Sequence, residues 1–108
     1  MSARVKKHLP LYKWLCHSNP KSTRAVLQVA DKDVIDGLCE CSYNVLKGNV
    51  PLKPEQKRRL KRHKQVLREL SYGRGKSLKR KRQLLQRGGF LGALMSPLIG
   101  ILGSLLLK

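Results

Sequence analysis

Acidic side chains are scarce in this sequence of 108 residues, which has 6 Asp and Glu against 24 Lys and Arg. The formal net charge is +18, and aromatic residues make up only 5% of the chain. So few carboxylates argue against a paired-carboxylate active site, and so short a chain does not fit a multidomain enzyme. Small chains also bury the smallest fraction of their surface, so we expect a modest core. The positive charge indicates a polyanionic partner, either nucleic acid or an anionic membrane surface.

Cysteines and catalytic motifs are also sparse. Three cysteines are an odd and small number, which argues against a disulfide framework. On a helix, Cys39 and Cys41 point about 200° apart and cannot both bind one metal ion. We therefore predict reduced, buried thiols, with no metal and no cofactor. No nucleophile elbow or zinc-protease motif occurs, and residues 73–77 lack the first glycine of a phosphate-binding loop because position 70 is Leu70. We expect no enzyme activity and no small-molecule substrate.

The positive charge is concentrated in one part of the chain. Residues 1–52 carry a net charge of +4, residues 53–87 carry +13, and residues 88–107 carry no charged side chain. This block pattern indicates three segments with separate roles. We predict a small helical N-terminal region (1–52), a basic nucleic-acid-binding segment (53–87) and an apolar C-terminal segment (88–108).

Hydrophobic spacing and capping residues predict an all-α fold of several short helices around a small core. The clearest pattern predicts an amphipathic helix over 32–47, capped by Asp31 and ended by Gly48. Further helices are predicted from Pro20 to about Ala30, with Ser18 or Asn19 as the cap, from Pro54 to about Leu70, and over 78–87, with Ser77 as the cap. Two apolar groups complete the predicted core: an N-terminal cluster of Leu9, Leu11, Tyr12, Trp14 and Leu15, and the side formed by Val26, Leu27 and Val29.

The basic segment cannot neutralise its own charge, because it contains only Glu55 and Glu69 as acids. Its net charge matches about 6–7 base pairs of duplex DNA, which carries one charge per ~1.7 Å. Tyr72 is its single aromatic residue, which argues against a single-strand stacking platform and favours sequence-independent phosphate contacts. A solvated basic face is the alternative interpretation. We predict a basic arm that becomes ordered on binding. The predicted nucleic-acid-binding residues are Lys57, Arg58, Arg59, Lys61, Arg62, Lys64, Arg68, Arg74, Lys76, Lys79, Arg80, Lys81, Arg82 and Arg87.

The apolar segment has two interpretations. Residues 90–107 are uncharged, and as a helix they span roughly 27 Å, close to the hydrocarbon thickness of a membrane. Pro97 kinks such a helix but does not exclude it. Small residues at every fourth position favour close helix packing inside lipid; these are Gly88, Gly92, Ser96, Gly100 and Ser104. The segment either spans or contacts an anionic membrane, or it has no membrane role. In the second case it packs against protein, namely the helix over 32–47 or a capsid protein, or it is disordered.

Two stretches of the chain carry a family resemblance. The runs LCECSYNVLKGNVPLKPEQKRRLKRHKQVLREL and SLKRKRQLLQRGGFLGAL resemble small basic proteins of Maverick/Polinton elements and adintoviruses. Those proteins are similar in plan to the adenovirus core protein X (mu) precursor, and the resemblance covers about residues 32–108. It implies a virion core protein, found in the virion and the host nucleus, that binds and compacts a double-stranded DNA genome. The sequence departs from the maturation cleavage pattern of adenovirus-type proteases, because Gln86 stands where that pattern has an apolar residue.

Charge and resemblance together predict non-specific binding and condensation of double-stranded DNA. The basic clusters over 57–59 and 79–82 also suit nuclear localisation. The alternative is a membrane-active or membrane-associated protein that acts through its apolar C-terminal segment. An RNA-binding protein is a third interpretation, which the basic segment alone would permit.

Overall fold

A computed structural model describes residues 3–72, 77–87 and 91–98 of the chain. These residues form eight short helices and no strand, which confirms the predicted all-α class. The helices are α1 (Ala3–Lys7), α2 (Leu9–His17), α3 (Pro20–Val29), α4 (Lys32–Leu46), α5 (Pro54–Lys61), α6 (Lys64–Ser71), α7 (Leu78–Leu85) and α8 (residues 91–98).

The predicted caps set the ends of the central helices. The Asn19 side chain accepts a hydrogen bond from the Ser22 amide at 2.8 Å, and Asp31 accepts one from the Val34 amide at 3.0 Å. Each bond satisfies an amide that has no partner inside its helix. Gly48 follows α4 with φ +78°, a left-handed conformation that favours glycine. Helix α4 therefore begins and ends close to its predicted bounds.

Helix α4 lies at the centre of the fold. It packs against α1 and α6, and it also contacts α7, which in turn reaches α3 and α6. One continuous core takes side chains from all three segments predicted from composition. Representative buried residues are Val5, Leu38, Leu67, Leu85 and Leu94.

The basic segment differs from its prediction in two ways. The single helix expected from Pro54 to about Leu70 is wrong, because a turn at residues 62–63 divides it into α5 and α6. Helix α5 buries only Leu60, so little burial holds the two halves in one straight helix. The segment is also not an arm outside the core, since α6 buries Val66, Leu67 and Leu70 and α7 buries Leu84 and Leu85.

Two predicted core residues are instead exposed. Val29 is 82% exposed, and Trp14 is exposed as well. Val29 lies two positions after the buried Leu27, and Trp14 lies two positions after the buried Tyr12. Two helical positions correspond to a rotation of about 200°, so burying the first residue turns the second toward solvent.

The described part of the apolar C-terminal segment packs into the core. Helix α8 buries Leu91, Leu94, Met95 and Leu98. A Cβ atom added at Gly92 would lie 3.7 Å from the carbonyl oxygen of Cys16 in α2, which is an ordinary van der Waals contact. Ser96, the next member of the predicted small-residue ladder, is exposed. The other members of the predicted ladder, Gly88, Gly100 and Ser104, lie outside the described residues. Within the described ranges, no helix has both the length and the apolar content to cross a membrane.

Candidate nucleic-acid interface

Ten of the predicted phosphate-binding side chains are exposed in the structure. They lie along the chain from α5 to the residues just after α7. The same segment has two acidic residues: Glu55 is exposed and Glu69 is half-buried. We call these ten residues the basic face: Lys57, Arg58, Arg59, Lys61, Arg62, Lys64, Arg68, Lys79, Arg80 and Arg87. Arg74 and Lys76 of the predicted set lie outside the described residues.

Three arginines of the basic face surround one surface depression on α5. Arg58, Arg59 and Arg62 line it together with Glu55, and its volume is about 250 Å³. Arg58 and Arg62 are one helical turn apart, so their side chains lie on the same side of α5. A guanidinium offers a fork of donors that matches phosphate oxygens, which makes this depression suited to an oxyanion.

A row of exposed residues runs along α6. Lys64, Arg68 and Tyr72 are spaced by four residues, and the Tyr72 amide donates to the Arg68 carbonyl at 3.0 Å. Helical hydrogen bonding thus extends to Tyr72, and residues at this spacing share one side of the helix. Lys57 and Lys61 have the same spacing on α5.

Lys81 and Arg82 depart from their predicted role as phosphate ligands. Lys81 Nζ donates to Asp36 Oδ1 at 3.1 Å, with side-chain exposures of 18% and 13%. Lys32 Nζ donates to the other Asp36 oxygen at 2.6 Å. Burial tends to raise the pKa of Asp36, but hydrogen bonds from both lysines outweigh it and leave the pKa below its usual value. Lys81 therefore ties α7 to α4.

Arg82 is engaged inside the protein in the same way. Its guanidinium donates to the carbonyl of Ala30, the residue that ends α3. The Nε atom of Arg82 is buried and has no hydrogen-bond partner among the described residues, and the same is true of Oε2 of Glu69 on α6. A cation at the C-terminal end of a helix is favourable because the last carbonyls carry partial negative charge. This hydrogen bond connects α7 to α3, so Arg82 is not counted among the surface cations.

Two acidic residues of α4, Asp33 and Asp36, pair with side chains outside the basic face. Asp33 accepts from His8 Nε2 at 2.7 Å and from Arg4 Nε at 3.1 Å. The hydrogen bond from His8 and that from Arg4 together lower the pKa of Asp33. Among the described residues, the ion pairs involve Arg4, His8, Lys32 and Lys81. None of these ion pairs between described residues involves an exposed cation of α5–α7.

The fold adds three surface residues that sequence reasoning missed. Arg24 of α3 lines the same cleft as Arg87, a cavity of about 160 Å³ between α2, α3 and the end of α7. Tyr43 and Lys47, at the end of α4, lie beside Tyr72. No local pattern joins Arg24 to Arg87 or Lys47 to Tyr72, because each of these pairs comes from helices distant in sequence.

The three cysteines are free thiols that differ in burial. Burial raises the pKa of Cys39 to about 11 and that of Cys41 to about 12, which disfavours the thiolate that binds metals. Cys41 is buried, as predicted, whereas Cys16 and Cys39 are half-buried. Within residues 3–72, 77–87 and 91–98, no three His, Cys, Asp or Glu side chains come together at a spacing suited to a metal ion.

No protein-family model, curated protein or solved structure matches the chain significantly. The resemblance to the small basic proteins of Maverick/Polinton elements and adintoviruses accordingly stays a prediction.

Proposed function

We propose that this protein binds and condenses double-stranded DNA, without sequence preference, through its basic face. The observation that carries the proposal is the set of ten exposed cations on α5–α7, none of which takes part in the ion pairs found between described residues, those of Asp33 and Asp36. Phosphate contacts of this kind give affinity and orientation but do not read bases. Burial of Leu60, Leu67 and Leu84 fixes the helices, so the cations are presented by folded elements.

The size of the molecule sets the scale of charge neutralisation. Its longest dimension is 35 Å. Duplex DNA of that length carries about 20 phosphate charges, at one per ~1.7 Å. Ten cations on one protein can therefore neutralise up to about half of them, and further copies along the duplex supply the rest. Loss of this charge is what allows neighbouring duplexes to approach, so condensation follows from the same contacts.

The biological setting proposed is the core of a virus-like particle, with the viral genome as partner in the virion and the host nucleus. It rests on the resemblance described above together with the charge. The membrane alternative is less well supported, because the apolar side chains of α8 pack into the core. The burial of α8 and the approach of Gly92 to α2 favour the interpretation that residues 91–98 pack against protein. We propose no second function for them.

The test uses the full chain, since ending it at residue 87 would remove the buried side chains of α8. Binding to random-sequence duplex is measured at several salt concentrations for wild type and two triple variants. One variant carries Lys57→Gln, Arg58→Gln and Arg62→Gln on the basic face. The matched control carries Lys6→Gln, Lys7→Gln and Lys13→Gln, which are exposed residues of α1 and α2.

The expected result is a change in the salt dependence that is specific to the basic face. Each lost phosphate contact lowers the slope of log affinity against log salt by about 0.9, so the first variant loses up to about 2.7. The control, with the same net charge, changes the slope less. Equal losses in both variants would show that total charge alone matters. A wild type that binds duplex weakly and independently of salt would refute the proposal.

A further inference from the structure

One lysine lies within cation–π distance of two exposed tyrosine rings where α4 and α6 end. Lys47 Nζ lies 5.8 Å from the ring centroid of Tyr43 and 5.8 Å from that of Tyr72. Both distances lie within the range of cation–π contacts. Tyr43 is 42% exposed and Tyr72 is 58% exposed, so much of each ring faces solvent. We call these three residues the tyrosine cluster.

The structural role of Lys47 does not require either aromatic ring. Lys47 is the C-cap residue of α4, where a cation is favourable beside the last carbonyls. Any side chain of ordinary length at positions 43 and 72 would leave that interaction in place. The rings instead add flat, amphipathic surface, which is unusual in a chain with so few aromatic residues.

The tyrosine cluster continues the basic face. Tyr72 is the last member of the row formed with Lys64 and Arg68 along α6. Residues 64 and 72 are separated by about 12 Å at 1.5 Å per residue. That length corresponds to between three and four nucleotide steps of one strand, at about 3.4 Å per step. A strand whose phosphates contact Lys64 and Arg68 therefore brings its next nucleotides to Tyr72.

We propose that the tyrosine cluster binds an unpaired nucleotide next to a duplex, such as a single-stranded end or gap. The base stacks on the open face of Tyr72, the more exposed of the two rings, and Lys47 contacts the adjoining phosphate. Within a duplex the bases are already stacked on each other, so the cluster acts only where a strand is unpaired. This inference rests on the proposed function and adds a second type of nucleic-acid contact to the basic face.

The experiment compares a blunt duplex with a duplex that carries a short single-stranded overhang and the same total number of phosphates. Wild type should bind the overhang probe at least about fivefold more tightly, which corresponds to one stacked base. Tyr72→Ala should abolish this preference and leave the affinity for blunt duplex unchanged. Tyr72→Phe, which keeps the ring, should retain the preference. Trp14→Ala is the matched control, because it removes an exposed aromatic ring from α2.

A fluorescent base analogue in the overhang gives a second readout. Its emission should change when wild type or Tyr72→Phe binds, and remain unchanged with Tyr72→Ala. Equal affinity of wild type for both probes would refute the tyrosine cluster as a nucleotide site while leaving duplex binding intact. Absence of binding to the blunt duplex would instead refute the proposed function. Flotation with anionic vesicles is measured for wild type and Tyr72→Ala as well. If the substitution abolishes vesicle binding and leaves the preference for the overhang probe unchanged, the cluster contacts lipid and the inference is wrong.

Discussion

Lys79 and Lys81 provide a matched test of the difference between a surface cation and a structural one. Both lie on α7, two residues apart, and either can be replaced by glutamine with the same change in charge. Lys79 is exposed, whereas Lys81 is mostly buried beside Asp36. We expect Lys79→Gln to weaken DNA binding without changing stability, and Lys81→Gln to lower stability without changing the salt dependence of DNA binding.

The expected loss of stability follows from the geometry of the Lys81–Asp36 pair. Opposite charges 3.1 Å apart attract by about 5 kcal/mol at an effective dielectric constant of ~20. Desolvation of both groups offsets much of this attraction. Asp36 also keeps its hydrogen bond from Lys32, which is itself well exposed. We therefore expect Lys81→Gln to lower the free energy of unfolding by about 1–2 kcal/mol.

Urea unfolding and duplex binding at several salt concentrations separate the two effects. For Lys79→Gln, the free energy of unfolding should stay within about 0.5 kcal/mol of wild type, and the salt slope should fall by about 0.9. For Lys81→Gln, the slope should be that of wild type under conditions where the variant is folded. The reasoning is refuted if Lys81→Gln lowers the slope while its unfolding curve is unchanged.

Three further predictions concern the fold. Gly37→Ala should destabilise the protein by about 1–3 kcal/mol in thermal or urea unfolding, because the Tyr12 hydroxyl, bonded to the Val34 carbonyl, occupies the space of the new methyl group. Gly92→Ala, where a side chain meets only ordinary contacts, should be neutral or stabilising by up to about 1 kcal/mol; comparable losses at both sites would contradict this packing. Asp31→Ala should cost about 1 kcal/mol because α4 loses its N-cap, and an unchanged urea midpoint would argue against that cap. Finally, the folded state lowers the pKa values of Asp33 and Asp36, so their stabilisation is complete above the usual carboxyl pKa and is lost as pH falls through the lowered values. Stability should therefore decrease below about pH 4, and Asp36→Asn should flatten that dependence; an identical profile in the variant would contradict it.

The local elements were largely predictable from sequence because their causes are local. Caps at Asn19, Asp31 and Ser77 act on amides only three residues away, and each was predicted and is present. The basic segment was equally clear, since charge is a property of composition. The break between α5 and α6 was not predictable, because helix propensity continues across residues 62–63 and only packing distinguishes one helix from two.

The sequence by itself determined the helical class, the capped ends of α3, α4 and α7, and the concentration of positive charge in residues 53–87. Tertiary structure alone decided which of those charges are paired inside the protein. Helical spacing from Leu78, Leu84 and Leu85 places Lys81 on the apolar side of α7, but only the approach of α7 to Asp36 supplies the partner that holds Lys81 there. The same holds for Lys47 and Tyr72, which come together because α4 and α6 pack side by side. Contacts between residues distant in the chain depend on how helices pack, and a local sequence pattern carries no record of that packing.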